Sequence, residues 1–500
     1  MKYFIIFPIH LFENIELIKS IEPDQIFLIE EDKYFSSFPF HKSKLAYHRA
    51  TMKFYFDYLV SKGFKCKYID STKSNKYKWA GSKSNLTIYS YDPIDHSLRR
   101  FLYKLNPNLV LIDSQSFLES IEDLYVYQQT QTNSSKYFHD ASFYKWQRKR
   151  LGLLVDSKEK PEGGKWSFDK LNRKPFDSKF KPTNQLKWSN DYWDDAIKYV
   201  NKTFPDNFGT ILDYCLFPLT FKQNKSHLKN FISNCLKTFG TYEDAVSSDI
   251  ISGSHSLLSV SLNVGLITPD YILEQVIEFH KLTKGKYIQQ VEAFVRQLIG
   301  WRSYVRFVYE FHGEQMINEN LLAHNAKIPS SWFSSTPNTG FDFIDDLVIK
   351  TWTYGYLHHI ERLMYISNLF LLMRIDPKQV YKWFMVCFLD SYEWVMVPNV
   401  MGMGQYSLET IQMMTRPYFS SSAYIKRMSD FDSKPVELGT DLYKWEEVWN
   451  GLYYNFIATH EKLLKSIYST AIQVKNLNNL DSQKKKEIKQ IAKLYIEHYG

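Results

Sequence analysis

Cysteine is rare in this chain. Its four, Cys66, Cys215, Cys235 and Cys387, lie far apart in 500 residues and form no CxxC pair. That spacing signals neither a disulfide framework nor a paired-cysteine zinc site, and it fits a reducing compartment. No run of eighteen apolar residues occurs, so no membrane span is expected. The first ten residues, Met1 to His10, lack the small-residue cleavage site of a signal peptide and read as a first strand. A soluble, intracellular, monomeric protein is the expectation. There is no GxGxxG, no HExxH and no internal repeat, so neither a dinucleotide fingerprint nor a helix-borne zinc pair is signalled. Excess charge is small too. A net +8 permits contact with phosphate backbones and does no more than permit it.

What is present is length and aromatic bulk. Five hundred residues exceed one ordinary core, so two or three domains are expected. Aromatics at 17% serve large cores in the bland reading and stacking surfaces in the sharper one. Residues 1–125 alternate short apolar runs (3–8, 25–30, 65–70, 85–90 and 109–112) with helix-like segments, chiefly 42–62 with Leu45, Met52, Tyr55 and Leu59 near one stripe. This predicts an α/β domain with a doubly wound parallel sheet. Residues 126–190 read as a connector: polar at 128–135, basic and aromatic at 143–152, and looped at Lys160-Pro-Glu-Gly-Gly-Lys-Trp-Ser-Phe-Asp169. From 191 to 500 apolar residues recur at helical spacing, through 271–279, 288–307, 343–373 and 377–395, which predicts a large all-α domain.

Four motifs carry chemistry, each with a bland alternative. The first is His255-Ser-Leu-Leu-Ser-Val-Ser-Leu-Asn-Val-Gly-Leu-Ile-Thr-Pro269. Small hydroxyl residues at a helix start suit a diphosphate, or are ordinary caps. The second, Val291-Glu-Ala-Phe-Val-Arg-Gln-Leu-Ile-Gly-Trp-Arg-Ser-Tyr-Val-Arg306, sets Glu292, Arg296 and Gln297 on one helix side and Arg302 and Arg306 one turn apart. A salt-bridged helix face is its bland reading. The third contains His358, His359 and Arg362; adjacent histidines on a helix point about 100° apart. The fourth runs from Trp383 and Phe384 through Asp390-Ser-Tyr-Glu-Trp-Val-Met-Val-Pro-Asn399, and Trp332 lies upstream; core packing is the default for each tryptophan.

Together these segments resemble the cryptochrome/photolyase family, in the bacterial (6-4) photolyase branch. The resemblance covers nearly the whole chain and is most specific from 239 to 430. It implies noncovalent FAD in the helical domain, with Ser256, Leu257, Leu258 and Ser259 along the ribityl-diphosphate and Glu292, Arg296 and Arg362 at the cofactor. Asp390 would lie at the isoalloxazine edge and Asn399 near flavin N5. It makes Trp383 and Trp332, with Phe384 in place of a tyrosine, an electron path for photoreduction. It makes His359, with His358 beside it and Tyr418 near, the catalytic group at a flipped-out lesion in UV-damaged DNA. An imidazole suits that part because its pKa lies near neutrality. Arg148, Lys149, Arg302 and Arg306 would grip phosphates. The (6-4) photoproduct is the first choice of lesion; a cyclobutane dimer and a photoreceptor without repair are the alternatives.

Two departures stand out. Members of this branch carry an iron–sulfur cluster, yet Asp432 and Pro435 stand where paired cysteines are expected. The cluster is predicted absent, with Phe431, Trp445 and Trp449 packed in its place. The turn Phe7-Pro-Ile-His-Leu-Phe12 differs from the one that helps hold the antenna pigment in relatives, a lumazine in several, so antenna binding is in doubt.

Overall fold

The computed structural model describes residues 1–80, 85–131, 140–183, 186–409, 411–431 and 433–500. Five apolar runs form five strands: β1 (Lys2–Ile6), β2 (Gln25–Ile29), β3 (Cys66–Ile69), β4 (Thr87–Tyr91) and β5 (Leu109–Ile112). Every pair is parallel and the order is β3-β2-β1-β4-β5. Such a sheet buries both faces, which is why its central strands are almost wholly apolar. Phe4, Ile5, Ile6, Ile26, Leu28 and Ile29 are all fully buried.

The Lys42–Ser61 helix joins this sheet to the helical part of the chain. Every residue from Ser43 to Met52 is buried, Lys44, His48 and Arg49 included. Each polar member therefore needs a partner. Lys44 Nζ donates to Ser391 Oγ (3.0 Å), His48 Nε2 meets the Tyr392 hydroxyl (2.8 Å), and Arg49 pairs with Glu30 (2.9 Å) and Asp70 (2.8 Å). The apolar stripe expected from the sequence is thus part of a helix buried all round as far as Met52 and on one side beyond it.

Two expected helices end early, and both breaks matter for the site. The Asp342–Tyr354 helix stops at Gly355 in the left-handed region (φ 58°). A Cβ there would stand 2.1 Å from Leu389 Cδ1. Only glycine lets this turn approach Leu389 so closely, and the Leu389 N–H donates to the Gly355 carbonyl (3.0 Å). The Pro377–Cys387 helix gives way to extended backbone at Phe388. The polar loop expected at 128–135 is corrected in its first part, since the Ile121–Thr130 helix runs through Gln128; positions 132–135 lie outside the described residues.

Near the C-terminus, Phe343 stacks on Phe431 (5.4 Å, 19°) and meets Trp445 (5.3 Å) and Trp449 (5.8 Å). The aromatic packing expected there is present. Asp432 lies outside the described residues. The cysteines are free thiols, and among the described residues no three His, Cys, Asp or Glu side chains are grouped to hold a metal ion. No described helix is long and apolar enough to cross a membrane.

Candidate functional site

Three segments distant in sequence meet at one carboxylate. Asp390 accepts two bonds from the Arg362 guanidinium (2.8 and 3.1 Å) and one from the Ser259 hydroxyl (2.7 Å). Its backbone carbonyl accepts from Asn263 Nδ2 (3.0 Å). Arg362 also donates through Nε to the Leu357 carbonyl (2.7 Å) and lies over the Phe388 ring (4.0 Å). A bidentate pair of this kind fixes orientation as well as charge. The close turn at Gly355 is what brings 357–362 against 388–390.

Among the described residues, π-helical turns occur at three places: Arg296–Arg302, Glu361–Ser367 and Val397–Gly404. All three carry residues singled out from the sequence, namely Arg296 and Arg302, Arg362, and Asn399. Widened turns of this type gather at functional sites because they re-aim side chains without ending the helix. Asn399 is fixed at both ends: Trp301 Nε1 donates to its Oδ1 (3.1 Å) and its Nδ2 donates to the Val395 carbonyl (2.7 Å).

The adjacent histidines part company. His359 begins a helical turn and its ring is exposed. Even so, crowding by protein, with repulsion from Arg362 added, takes its pKa down to about 4. His358 precedes the turn and points inward; it is 3% exposed and stacks on His255 (4.5 Å, 16°). Its expected catalytic part is therefore corrected, because the ring is buried and stacked inside the protein. Tyr418 is half-buried and close enough to Arg173 to influence its charge.

Trp332 and Trp383 are both fully buried, with ring centroids 6.0 Å apart, and Trp383 Nε1 donates to the Trp332 carbonyl (3.1 Å). Phe370 touches both, and Phe384 lies 5.5 Å from Trp383.

Several expected contacts are redirected. Arg148 is fully buried, and its donors go to the carbonyls of Leu153, Leu154 and Trp166. Arg306 is 1% exposed and donates to the Glu119 carbonyl (2.6 Å). Arg302 lies between the Phe117 and Trp394 rings (4.8 and 4.9 Å), and burial lowers its pKa to about 9. Arg148 and Arg306 are enclosed by the fold and cannot grip a DNA phosphate, whereas Arg302 is half-buried and turned inward, where its Nη1 donates to Asn263 Oδ1. Lys149 remains exposed and pairs with Glu159 (2.9 Å). Glu292, fully buried, accepts from the Tyr144 hydroxyl (2.9 Å) and the Phe168 N–H (3.0 Å), so it anchors the connector and offers no oxygen to a cofactor. Leu257 and Leu258 send their side chains into the core, and Ser259 opens a helix of only six residues. Any ligand contact from the two leucines is left to their backbone.

The sequence reading missed the charges around Arg296. Asp169 and Glu243 lie 3.5–3.6 Å from its Nη2 and Glu292 lies 3.5 Å from its Nε. Burial raises Glu243 to about 7 and Asp244 to about 6. The adjacent acids Glu243 and Asp244 were the available signal. Nε and Nη2 of both Arg296 and Arg302 are buried without a hydrogen-bond partner. An anionic ligand rich in acceptors would satisfy them, so the donor set fits a flavin dinucleotide. The turn that bears on the antenna pigment is packed inside. Phe7 to Phe12 are buried throughout, and the Leu11 N–H donates to the Val264 carbonyl (2.9 Å). A crevice alongside is lined by Ile9, Lys33, Asp95 and Glu393, with Lys33 paired to Asp95 (3.0 Å) and Glu393 (2.6 Å).

Known proteins resemble this chain in sequence and in fold. Residues 4–214 match the family described as deoxyribodipyrimidine photo-lyase-related protein, and residues 294–436 match the FAD binding domain of DNA photolyase. A (6-4) photolyase of Agrobacterium fabrum is 34% identical over 332 residues, 66% of this chain and 64% of that protein. The chain thus spans under two thirds of that relative's length. Uncharacterized protein R852 of Acanthamoeba polyphaga mimivirus is 35% identical over 191 residues, 35% of this chain and 95% of that protein. In fold, the chain resembles a bacterial class III photolyase from Agrobacterium tumefaciens (TM-score 0.55, 14% identity, 99% of this chain and 97% of that one). It also resembles a Synechocystis cryptochrome (TM-score 0.56, 14% identity, 86% and 88%). With a parallel-sheet N-terminal part, a helical C-terminal part and the FAD-binding domain match, this chain belongs to the photolyase/cryptochrome family.

Proposed function

We propose that the protein is a light-driven DNA-repair flavoprotein, a photolyase whose first-choice lesion is the (6-4) photoproduct. The observation that carries this reading is His359, exposed on the same turn as the Arg362–Asp390 pair. FAD, when bound and reduced, supplies a light-driven one-electron donor. Arg362, Asp390, Ser259 and Asn399 would hold and orient it. His359 would present its ring to a flipped-out base and hold or return a proton there. The buried Trp332–Trp383 contact supports an electron path toward the cofactor. Phosphate contacts fall to exposed Arg173 and Arg427, which share the surroundings of Tyr424 and Asp244. The division into 1–125, 126–190 and 191–500, and the lack of a cluster where Phe431, Trp445 and Trp449 pack, belong to the same reading. The named activity of the Agrobacterium fabrum relative supports the choice of lesion.

The test is a blue-light repair assay on oligonucleotides carrying a (6-4) photoproduct or a cyclobutane dimer. Wild type is expected to restore the (6-4) substrate. His359→Ala should keep its flavin and lose about 100-fold or more in repair, the usual scale for a positioned acid or base. A wild-type protein with photoreducible flavin and no repair of either lesion would be a photoreceptor, and the enzyme reading would fall. Trp383→Phe should still bind flavin, since the ring packing survives, and should lose most of its photoreduction under steady blue light. Unchanged bleaching of the oxidised flavin band would remove Trp383 from the path.

A further inference from the structure

We infer that the buried pair Lys350–Glu361 is the positioning device for His359, a role that rests on the repair reading above. Glu361 is fully buried. One of its oxygens accepts from Lys350 Nζ (2.6 Å) and the other from the His358 N–H (2.9 Å). The carboxylate therefore ties down the turn on which His359 begins. Lys350 comes from the Asp342–Tyr354 helix, on the far side of the Gly355 break, so the pair clamps the two arms of that break together. Lys350 Nζ also donates to the Ile250 carbonyl (3.2 Å). A few residues on, His255 stacks on His358 and its Nε2 meets the Glu243 carbonyl (3.1 Å). Three segments are thus knitted together directly behind the exposed imidazole.

Charge explains why the knot uses an ion pair. Glu361 Oε1 lies 3.7 Å from His358 Nε2. Alone, that carboxylate would draw a proton onto the His358–His255 stack. With Lys350 against it, the two charges cancel, and burial holds both stacked histidines well below the usual imidazole range. The charged and titratable groups facing the stack are Lys350, Glu361, His359 and Arg362, with Asp390 neutralising Arg362. Of the three imidazoles His359 is the exposed one, with His255 half-buried and His358 buried. Lys350 and Glu361 touch no substrate; they act through His359.

The test compares flavin-loaded wild type, Lys350→Met, Lys350→Arg and Glu361→Gln. Photoreduction and lesion affinity in Lys350→Met should stay near wild type. Its repair yield per bound flavin should fall about tenfold, and its pH–rate profile should shift by about one unit. Lys350→Arg should recover most of both. Imidazole NMR titration of the same proteins needs no lesion. A new histidine titration should appear near neutral pH in Lys350→Met and be absent from Glu361→Gln. The inference is overturned if Lys350→Met gains no titration and keeps the wild-type profile, or if Lys350→Arg fails as badly as Lys350→Met. A wild type that repairs nothing would overturn the proposed function instead, and the titration would still decide whether the pair governs these histidines.

Discussion

Replacing Asp390 with alanine is expected to strip the protein of flavin and to lower its stability by about 3–5 kcal/mol. The carboxylate is 9% exposed and its partner Arg362 12% exposed, so water compensates little of the loss. Alanine would leave the guanidinium over the Phe388 ring with only the Leu357 carbonyl as acceptor. It would also orphan the Ser259 hydroxyl, which now donates to Asp390. An uncompensated buried cation is among the few single-site defects that reach several kcal/mol. Asp390→Asn separates charge from shape. The amide keeps one acceptor for Arg362, so a smaller loss of about 1–3 kcal/mol is expected, with weak flavin retention. Visible absorbance of the purified variants and their denaturant midpoints read both effects. Stoichiometric flavin in Asp390→Ala, with an unshifted midpoint, would show that the site does not rest on this pair.

How far the sequence led can be judged from such residues. The five strands were legible because short parallel strands buried on both faces must be nearly all apolar. Their order, with β1 at the centre, was not, since hydrophobicity says nothing about which neighbour a strand takes. Asp390, Arg362 and Ser259 were each singled out by motif, yet their convergence depends on the left-handed turn at Gly355 and its contact with Leu389. The helical periodicity of 343–373 runs through that turn without a mark, because apolar residues continue on both sides. The π-helical turns are equally silent, since one extra residue per turn leaves the composition unchanged. Arg148 and Arg306 misled for the opposite reason. A basic run looks like solvated surface until backbone carbonyls and Glu119, supplied by the fold, enclose it. Lys350 carried no motif and Glu361 drew no notice between His359 and Arg362; a lysine and a glutamate eleven residues apart gain meaning only when a helix break folds one onto the other.

Acid should unfold this protein early, and His41 should account for a measurable share of the slope. His41 caps the Lys42–Ser61 helix: its Nδ1 accepts the Ser43 N–H (3.0 Å), which leaves Nε2 to donate to the Trp352 carbonyl (2.9 Å). The first bond requires the neutral ring, because a protonated Nδ1 cannot accept; the second survives protonation. Burial, with smaller repulsion from Lys44 and Lys42, lowers its pKa from 6.5 to about 4. Because the folded pKa lies below the unfolded one, the histidine's contribution is present above 6.5 and is lost as the pH falls toward 4. In that window each such group removes about 1.4 kcal/mol per pH unit. His10, buried and lowered to about 3, adds to the same fall. Glu243 and Asp244 oppose it, as do Glu31, Glu292, Asp345, Asp346 and Glu361, since raised carboxyl values favour the folded chain on acidification. His41→Asn isolates the effect, because asparagine also caps a helix and does not titrate. The variant should cost about 1 kcal/mol at pH 7.5 for the lost Trp352 bond. Between pH 6 and 4.5 its stability should then fall less steeply than that of wild type, by up to about 1.4 kcal/mol per unit, so that the two curves converge or cross. Denaturant melts at half-unit pH steps measure this directly, and parallel curves across that range would assign the acid sensitivity to other groups.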